Sequence, residues 1–121
     1  MTLNKVDRYR QALLSAYAAA VRAVEGERVT ENWLQQHPGE GAVAMIALGK
    51  AAGAMALGAQ KALGDRLLRG LVISKPGHAD GEALDPERIL ICEGAHPLPD
   101  GTSLAAGQAL IEFIEGLPSG Q

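Results

Sequence analysis

AVAMIALGKAAGAMA, residues 42–56, decides how the rest of the chain is read. Its first seven residues are an unbroken apolar run, the length and uniformity of a parallel strand covered on both faces. The first charge after the run is Lys50, which follows Gly49 and precedes an alanine-rich segment with the character of a helix. A lysine at the carboxyl end of such a strand, beside a glycine and ahead of a helix amino terminus, sits where open α/β sheets bind their ligands. The functional reading is therefore centred on Lys50.

Working outward, residues 51–63 carry small side chains at Ala52, Gly53, Ala56, Ala59 and Ala62, which predicts a helix lying close on a sheet and stopped by Gly64. Gly53 and Gly58 inside that helix each cost roughly 1 kcal/mol relative to alanine, so a close backbone approach is expected at both. Two further apolar strands are predicted at residues 70–74 and 88–92, separated by a polar loop at 79–87. A last helix is expected at 102–115, closed by Gly116. Upstream, Val6, Tyr9, Leu13, Ala16, Tyr17, Ala20, Val21 and Val24 form the stripe of an amphipathic helix over residues 5–25, capped by Thr2 or Asn4 and ended by Gly26. Tyr9 and Tyr17 read as packing residues. Thr30 is expected to cap a short helix through Gln36, and His37-Pro38-Gly39 to turn the chain into the central strand. The order of elements predicts an α/β domain with a mostly parallel sheet, preceded by an amino-terminal helix. Residues 1–40 form a helical lead-in and residues 41–117 the α/β core.

Composition narrows the function classes. The chain has 121 residues, the length of one domain, and is 47% hydrophobic but only 3% aromatic. A core of Ala, Val, Ile and Leu is expected, with Trp33, Tyr9, Tyr17 and Phe113 as its large rings. A net charge of −3, with no basic block interleaved with aromatics, argues against nucleic acid as a partner. No apolar run approaches the roughly 20 residues of a membrane span and the amino terminus lacks a secretory segment, so a cytoplasmic location is expected. The single Cys92 lies in an apolar run, reads as a small core residue and is given no chemistry.

Each of the three predicted strands runs at once into a polar, glycine-bearing loop. These are Gly49-Lys50, then Lys75-Pro76-Gly77-His78, then Gly94-Ala95-His96-Pro97-Leu98-Pro99-Asp100. In a parallel sheet such ends lie side by side, so Lys50, Lys75, His78, His96 and Asp100 are expected to converge on one crevice suited to a small anion. Asp100 has a second reading, as cap of the last helix. Known nucleotide motifs do not fit. Lys50 is followed by Ala51 where a P-loop needs Ser or Thr, and no glycine stands five positions before Gly49. The first strand ends in Ala47-Leu48-Gly49 and the second in Ser74-Lys75, so a dinucleotide fingerprint and its ribose-reading carboxylate are both missing. His and Cys show no zinc spacing, and no metal ligand is assigned.

Gly49-Lys50-Ala51-Ala52-Gly53-Ala54-Met55-Ala56, then Arg69-Gly70-Leu71-Val72 leading into Lys75-Pro76-Gly77-His78, then Glu93-Gly94-Ala95-His96-Pro97-Leu98-Pro99-Asp100 resemble, in this order and spacing, the amino-terminal part of the type II glycerate 2-kinases. That family also carries the name hydroxypyruvate reductase, and its amino-terminal domain is associated with the MOFRL domain. The resemblance implies a three-layer, Rossmann-like fold and an enzyme that uses ATP and Mg²⁺ to phosphorylate the 2-hydroxyl of D-glycerate, giving 2-phosphoglycerate, in a cleft between two domains. It implies that Lys50 is the catalytic lysine and that His96 and Asp100 belong to the family's His-Pro-x-Pro-Asp loop; together with Gly49, Lys75 and His78 of the strand-end loops, these residues are expected to bind substrate. Ala47 departs from the Gly-x-Gly-Lys pattern frequent in such proteins.

Family members are several times longer, so the resemblance implies that this chain corresponds to their amino-terminal portion, that the second domain is absent, and that the chain alone does not turn over substrate. Expected partners are a small hydroxy acid and the remainder of a parent chain, with a homo-oligomer left open. Two other readings stand beside this one: an NAD(P)H-dependent hydroxypyruvate reductase, which the missing fingerprint opposes, and a non-catalytic module that binds a partner through bare sheet and helix surface.

Overall fold

A computed structural model describes residues 2–119. Helix α1 (Lys5–Ala23) and helix α2 (Gly26–Gln36) lead into strand β1 (Val43–Leu48). Helix α3 (Ala52–Leu63) follows, then a 3-10 turn (Gly64–Arg66), strand β2 (Leu67–Ser74), strand β3 (Ile89–Glu93) and helix α4 (Gly101–Glu115). The three strands are all parallel, in the order β1-β2-β3. Ala44 pairs with Arg69 and Leu48 with Ile73, while Gly70 pairs with Ile89 and Ser74 with Glu93, so the carboxyl ends of all three strands are level.

The sheet is covered unequally. Alternation along β2 sends Val72 to the face where Ala52, Ala56, Leu67, Leu84 and Ile89 form the core cluster with α3. Ile73 points to the opposite face, toward α4. This is the three-layer α/β arrangement expected, built from one helix per face. The strand buried on both faces is β2, where Leu67, Leu71 and Val72 are fully buried. The sequence pointed to β1 for that place. Instead β1 is an edge strand, with Ile46 40% and Leu48 58% exposed, because α4 lies over β2 and β3 and leaves the corresponding face of β1 bare.

β2 and β3 are parallel but no helix joins them. Residues 75–88 make the crossover as a loop, fastened by Gln60, which donates to the Ala83 carbonyl at 3.1 Å and accepts from the Asp85 N–H at 2.8 Å. Asp85 in turn pairs with Arg88 at 2.7 Å, and Leu84 plugs the core from the middle of the loop. The loop thus does the covering work that a crossover helix does elsewhere.

The lead-in differs most from expectation. α1 ends at Ala23, and Gly26 opens α2 one turn before Thr30; Glu25 is the cap position and makes no side-chain bond there. Gly26 is explained by packing, since a Cβ there would lie 3.0 Å from Met55 Cγ and 3.3 Å from Ala54 Cβ on α3. Asn4 is the cap of α1, accepting from the Asp7 N–H at 2.9 Å. Yet α1 buries no residue, and Tyr9 and Tyr17 are 60% and 70% exposed, so neither packs in a core. Trp33 is also exposed and stacks on His37, which leaves Phe113 as the one aromatic ring in the core among the described residues. The amphipathic stripe is real, but only a small part of α2 lies against it.

Gly53 and Gly58 do mark close backbone approaches, though not to the sheet. A Cβ at Gly53 would stand 2.6 Å from the His78 carbonyl oxygen and 2.8 Å from Ala79 Cα, and one at Gly58 would collide with the Glu27 carbonyl. Gly53 therefore seats the loop after β2, and Gly58 seats α2 on α3, an arrangement closed by the Lys61–Glu27 ion pair.

Candidate functional site

At the carboxyl end of β1 the chain turns sharply into α3. Gly49 has φ +109°, a conformation open to glycine, and nothing stands within 4 Å of where its Cβ would be, so the backbone geometry and not crowding requires it. The Gly49 N–H extends the sheet ladder to the Ile73 carbonyl at 2.9 Å, and the Gly94 N–H does the same to the Ser74 carbonyl at 2.9 Å. These two bonds bring all three strand-end loops to one level.

The result is an open cleft of ≈ 330 Å³ between the sheet edge and α4. Gly49, Lys50, Lys75 and His96 line it, Leu48 and Ile73 form its floor, and Ser103, Ala106, Gly107 and Leu110 of α4 form its wall. Lys50 is exposed and Lys75 half-buried, and among the described residues neither belongs to an ion pair. The wall is the part that sequence reading missed. Ala106 and Gly107 signal it only weakly, as small residues on a helix.

His78 and Asp100 do not line the cleft. The backbone of His78 is pressed on Gly53 at the first turn of α3. Although the residue as a whole is exposed, its imidazole is held below the ordinary histidine range, first by loss of hydration and then by the positive charges of Lys75, Lys50 and His96. Asp100 is the N-cap of α4: it accepts from the Thr102 N–H at 2.8 Å and from the Thr102 hydroxyl, while its own N–H donates to Ser103 Oγ at 3.2 Å, a capping box. Of its two readings, the structure gives it the cap.

The Thr102 hydroxyl first, then the Thr102 N–H, keep the Asp100 carboxyl below the usual aspartate range. A depressed folded-state value means that the cap's charge-linked stability is present above the unfolded value of 3.8 and is lost as pH falls through the lowered one. Asp100→Ala is expected to lower the midpoint of a denaturant melt near neutral pH, while Asp100→Asn, which keeps an acceptor, is expected to lower it much less. Equal losses in both would assign the carboxylate a role beyond capping.

Two other groups at this end matter. Ser74 is only 3% exposed and its hydroxyl has no hydrogen-bond partner, on the α3 face of β2. Glu93, its neighbour in register on β3, shares that face and does not enter the cleft. Among the described residues, no three His, Cys, Asp or Glu side chains come together in a way that could hold a metal ion.

A further cleft of ≈ 320 Å³ lies at the amino ends of β2 and β3, lined by Arg69, Arg88 and Phe113 among others. Its arginines are occupied structurally. Arg69 lies 4.9 Å from the Phe113 ring and donates to the Gly116 carbonyl, and Arg88 holds Asp85 and the carbonyls of Gly64 and Leu67.

The chain is thus an α/β domain of Rossmann-like build, with a parallel three-stranded sheet and a cleft lined by two lysines at its carboxyl edge. The chain belongs to the family described as Domain of unknown function (DUF4147), whose model matches residues 12–121. It is 34% identical over 117 residues to a protein of Agrobacterium vitis named "Putative hydroxypyruvate reductase", covering 97% of this chain and 25% of that protein. It is 36% identical over 75 residues to the D-glycerate 2-kinase of Thermotoga maritima, covering 62% of this chain and 17% of that enzyme. A crystal structure of glycerate kinase from Thermotoga maritima superposes with a TM-score of 0.78 at 26% identity, over 92% of this chain and 26% of that one. The chain therefore spans about a quarter or less of the length of the relatives it matches. No helix among the described residues is long and apolar enough to cross a membrane.

Proposed function

We propose that this chain is the anion-binding portion of an ATP-dependent glycerate 2-kinase, with Lys50 as its central charge. What carries the reading is the meeting of Lys50, Lys75 and His96 from three separate strand-end loops at one cleft, in a family with a D-glycerate 2-kinase among its relatives. Phosphoryl transfer demands little covalent chemistry of the protein and much positioning of negative charge. In this role the ammonium of Lys50 holds the substrate carboxylate or offsets charge on the transferred phosphoryl group. Gly49 lets the backbone turn so that Lys50 stands at the mouth of the cleft, Lys75 and His96 complete its polar rim, and Asp100 supports the site by fixing the start of α4.

ATP is the proposed phosphoryl donor. Mg²⁺ would neutralise charge on its phosphates, but Asp100 is engaged as a cap and the described residues form no carboxylate cluster, so the ion is assigned no ligand on this chain. The reductase reading draws on the name of the Agrobacterium vitis relative. Against it stand the single glycine of the β1–α3 turn and the end of β2 in Ser74-Lys75, where a dinucleotide site has a carboxylate.

The test is to express the full reading frame that encodes this chain and to supply D-glycerate with ATP and Mg²⁺. The expected outcome is glycerate-dependent ADP release with 2-phosphoglycerate as the product in ³¹P NMR. NADH-dependent reduction of hydroxypyruvate without ADP release would replace the kinase with the reductase.

A further inference from the structure

Strand β1 closes the sheet on one side, and its outer edge is unpaired among the described residues. The Gly49 N–H is bonded to the Ile73 carbonyl on β2. Successive residues of a strand turn their N–H and C=O groups to alternate sides, so Met45 and Ala47 also face β2, while Ala44, Ile46 and Leu48 aim theirs outward. Helix α2 lies beyond that edge. α3 holds the 75–88 loop on one flank, through Gly53 and Gln60, and α2 on the other, through Gly58 and the Lys61–Glu27 pair. Between α2, α3 and β1 runs a groove of ≈ 230 Å³, bounded by Thr30, Met55 and the edge from Met45 to Leu48. Thr30 Oγ is closed off from solvent without a hydrogen-bond partner, while Val29, Trp33 and Met55 beside it stay exposed. On the opposite face, Gly107 lines the cleft next to Leu48, and Ile111 and Ile114, further along that flank of α4, are half exposed.

The path of the chain says what belongs at this edge. The β1–α3–β2 crossover moves across the sheet in one direction with α3 on one face, whereas α4 leaves β3 on the opposite face. Parallel crossovers are nearly always right-handed, so a helix on the opposite face carries the chain in the opposite direction, back over β2 toward β1. α4 already lies over β2 as well as β3. It also returns the chain to the amino ends of the strands, where Arg69 donates to the Gly116 carbonyl at 3.0 Å, so a strand that follows it runs parallel to β1. The relatives have about three quarters or more of their length outside the matched part.

We propose that the outer edge of β1 receives a fourth parallel strand, contributed by the polypeptide segment that follows α4. α2 covers this strand on the α3 face, and the flank of α4 that carries Ile111 and Ile114 borders it on the other. β1 then becomes an interior strand, which suits its unbroken apolar run. The Gly49-Lys50 turn comes to lie where the strand order reverses, the place where open α/β sheets hold their ligands, and the loop after the added strand faces Lys50. The inference does not depend on the kinase chemistry.

The test is hydrogen exchange on the polypeptide of the full reading frame, read residue by residue by mass spectrometry with electron-transfer fragmentation. The amides of Ala44, Ile46 and Leu48 are expected to exchange on the order of 10³-fold or more below the free-chain rate, as slowly as those of Met45 and Ala47, and to do so unchanged on dilution. Photo-methionine incorporated in place of methionine identifies the neighbour, because Met55 lines the groove: its expected cross-link is to the first apolar run after α4 in the same polypeptide. An alternating pattern, with Met45 and Ala47 slow and Ala44, Ile46 and Leu48 near the free-chain rate, leaves β1 at the edge and overturns the proposal. Protection that fades on dilution assigns the edge to a second copy and overturns it as well, as does a Met55 cross-link only to a later part of the chain. Slow exchange in a polypeptide that does not phosphorylate glycerate upholds the added strand and removes the kinase reading alone.

Discussion

Lys50→Met, in a catalytically competent polypeptide carrying this chain, is expected to lower kcat/KM for D-glycerate by roughly 10²-fold or more. The substitution keeps an apolar stem of similar length and removes only the ammonium, and 10²–10³-fold is the usual scale for losing one preorganised electrostatic contact. The fold is expected to survive it. Lys50 is exposed, the turn that carries it is set by Gly49 and by the Gly49 N–H bond to Ile73, and exposed substitutions of this kind change stability by within about 0.5 kcal/mol. Arginine at the same position restores charge but with a wider, planar head, and is expected to recover only part of the rate. Steady-state kinetics and a thermal melt of the same preparations provide the check. Near-parental turnover together with a lowered Tm would make Lys50 structural and remove the centre of the proposed mechanism.

Gly58→Val is expected to be the most damaging single change to the fold. Gly58 lies where α3 meets the backbone of Glu27, and there is no flexible side chain at the contact that could swing away. Overpacking of this sort costs about 1–3 kcal/mol and here falls at the upper end, offset only by the few tenths of a kcal/mol by which valine is a better helix former than glycine. At about 4 °C per kcal/mol for a domain of this size, the expected fall in Tm is on the order of 10 °C. Gly107→Ala supplies the contrast. It is also a helical glycine, but nothing lies within 4 Å of its Cβ position, so it is expected to gain up to about 1 kcal/mol from reduced freedom of the unfolded chain. A Gly58 variant as stable as the parent would mean that α2 does not sit on α3 as described.

The contrast between these glycines shows how far local sequence carries the fold. Two glycines interrupting α3 announced a close approach, because a helix keeps such costly residues only where a side chain is excluded. Their partners, the loop at His78 and the backbone of Glu27, depend on contacts far apart in the chain and have no local signature. Asp100 makes the same point in the site. A carboxylate two residues before a helical pattern fits a cap and a ligand equally well in one dimension. The Thr102 and Ser103 bonds decide for the cap once α4 begins at Gly101.

Sequence by itself determined the three apolar strands, their shared direction and the polar, glycine-bearing loop at the carboxyl end of each. Those features rest on runs of five to seven residues and on the backbone preferences of glycine and proline, which act within a turn of the chain. Tertiary structure alone decided that β2 and not β1 is the fully covered strand, that the amphipathic stripe of α1 stays largely exposed, and that α4 rather than another loop walls the cleft beside Lys50. Apolar character states what a segment can bury, and only the order of strands and the placement of helices over them settles what this chain does bury.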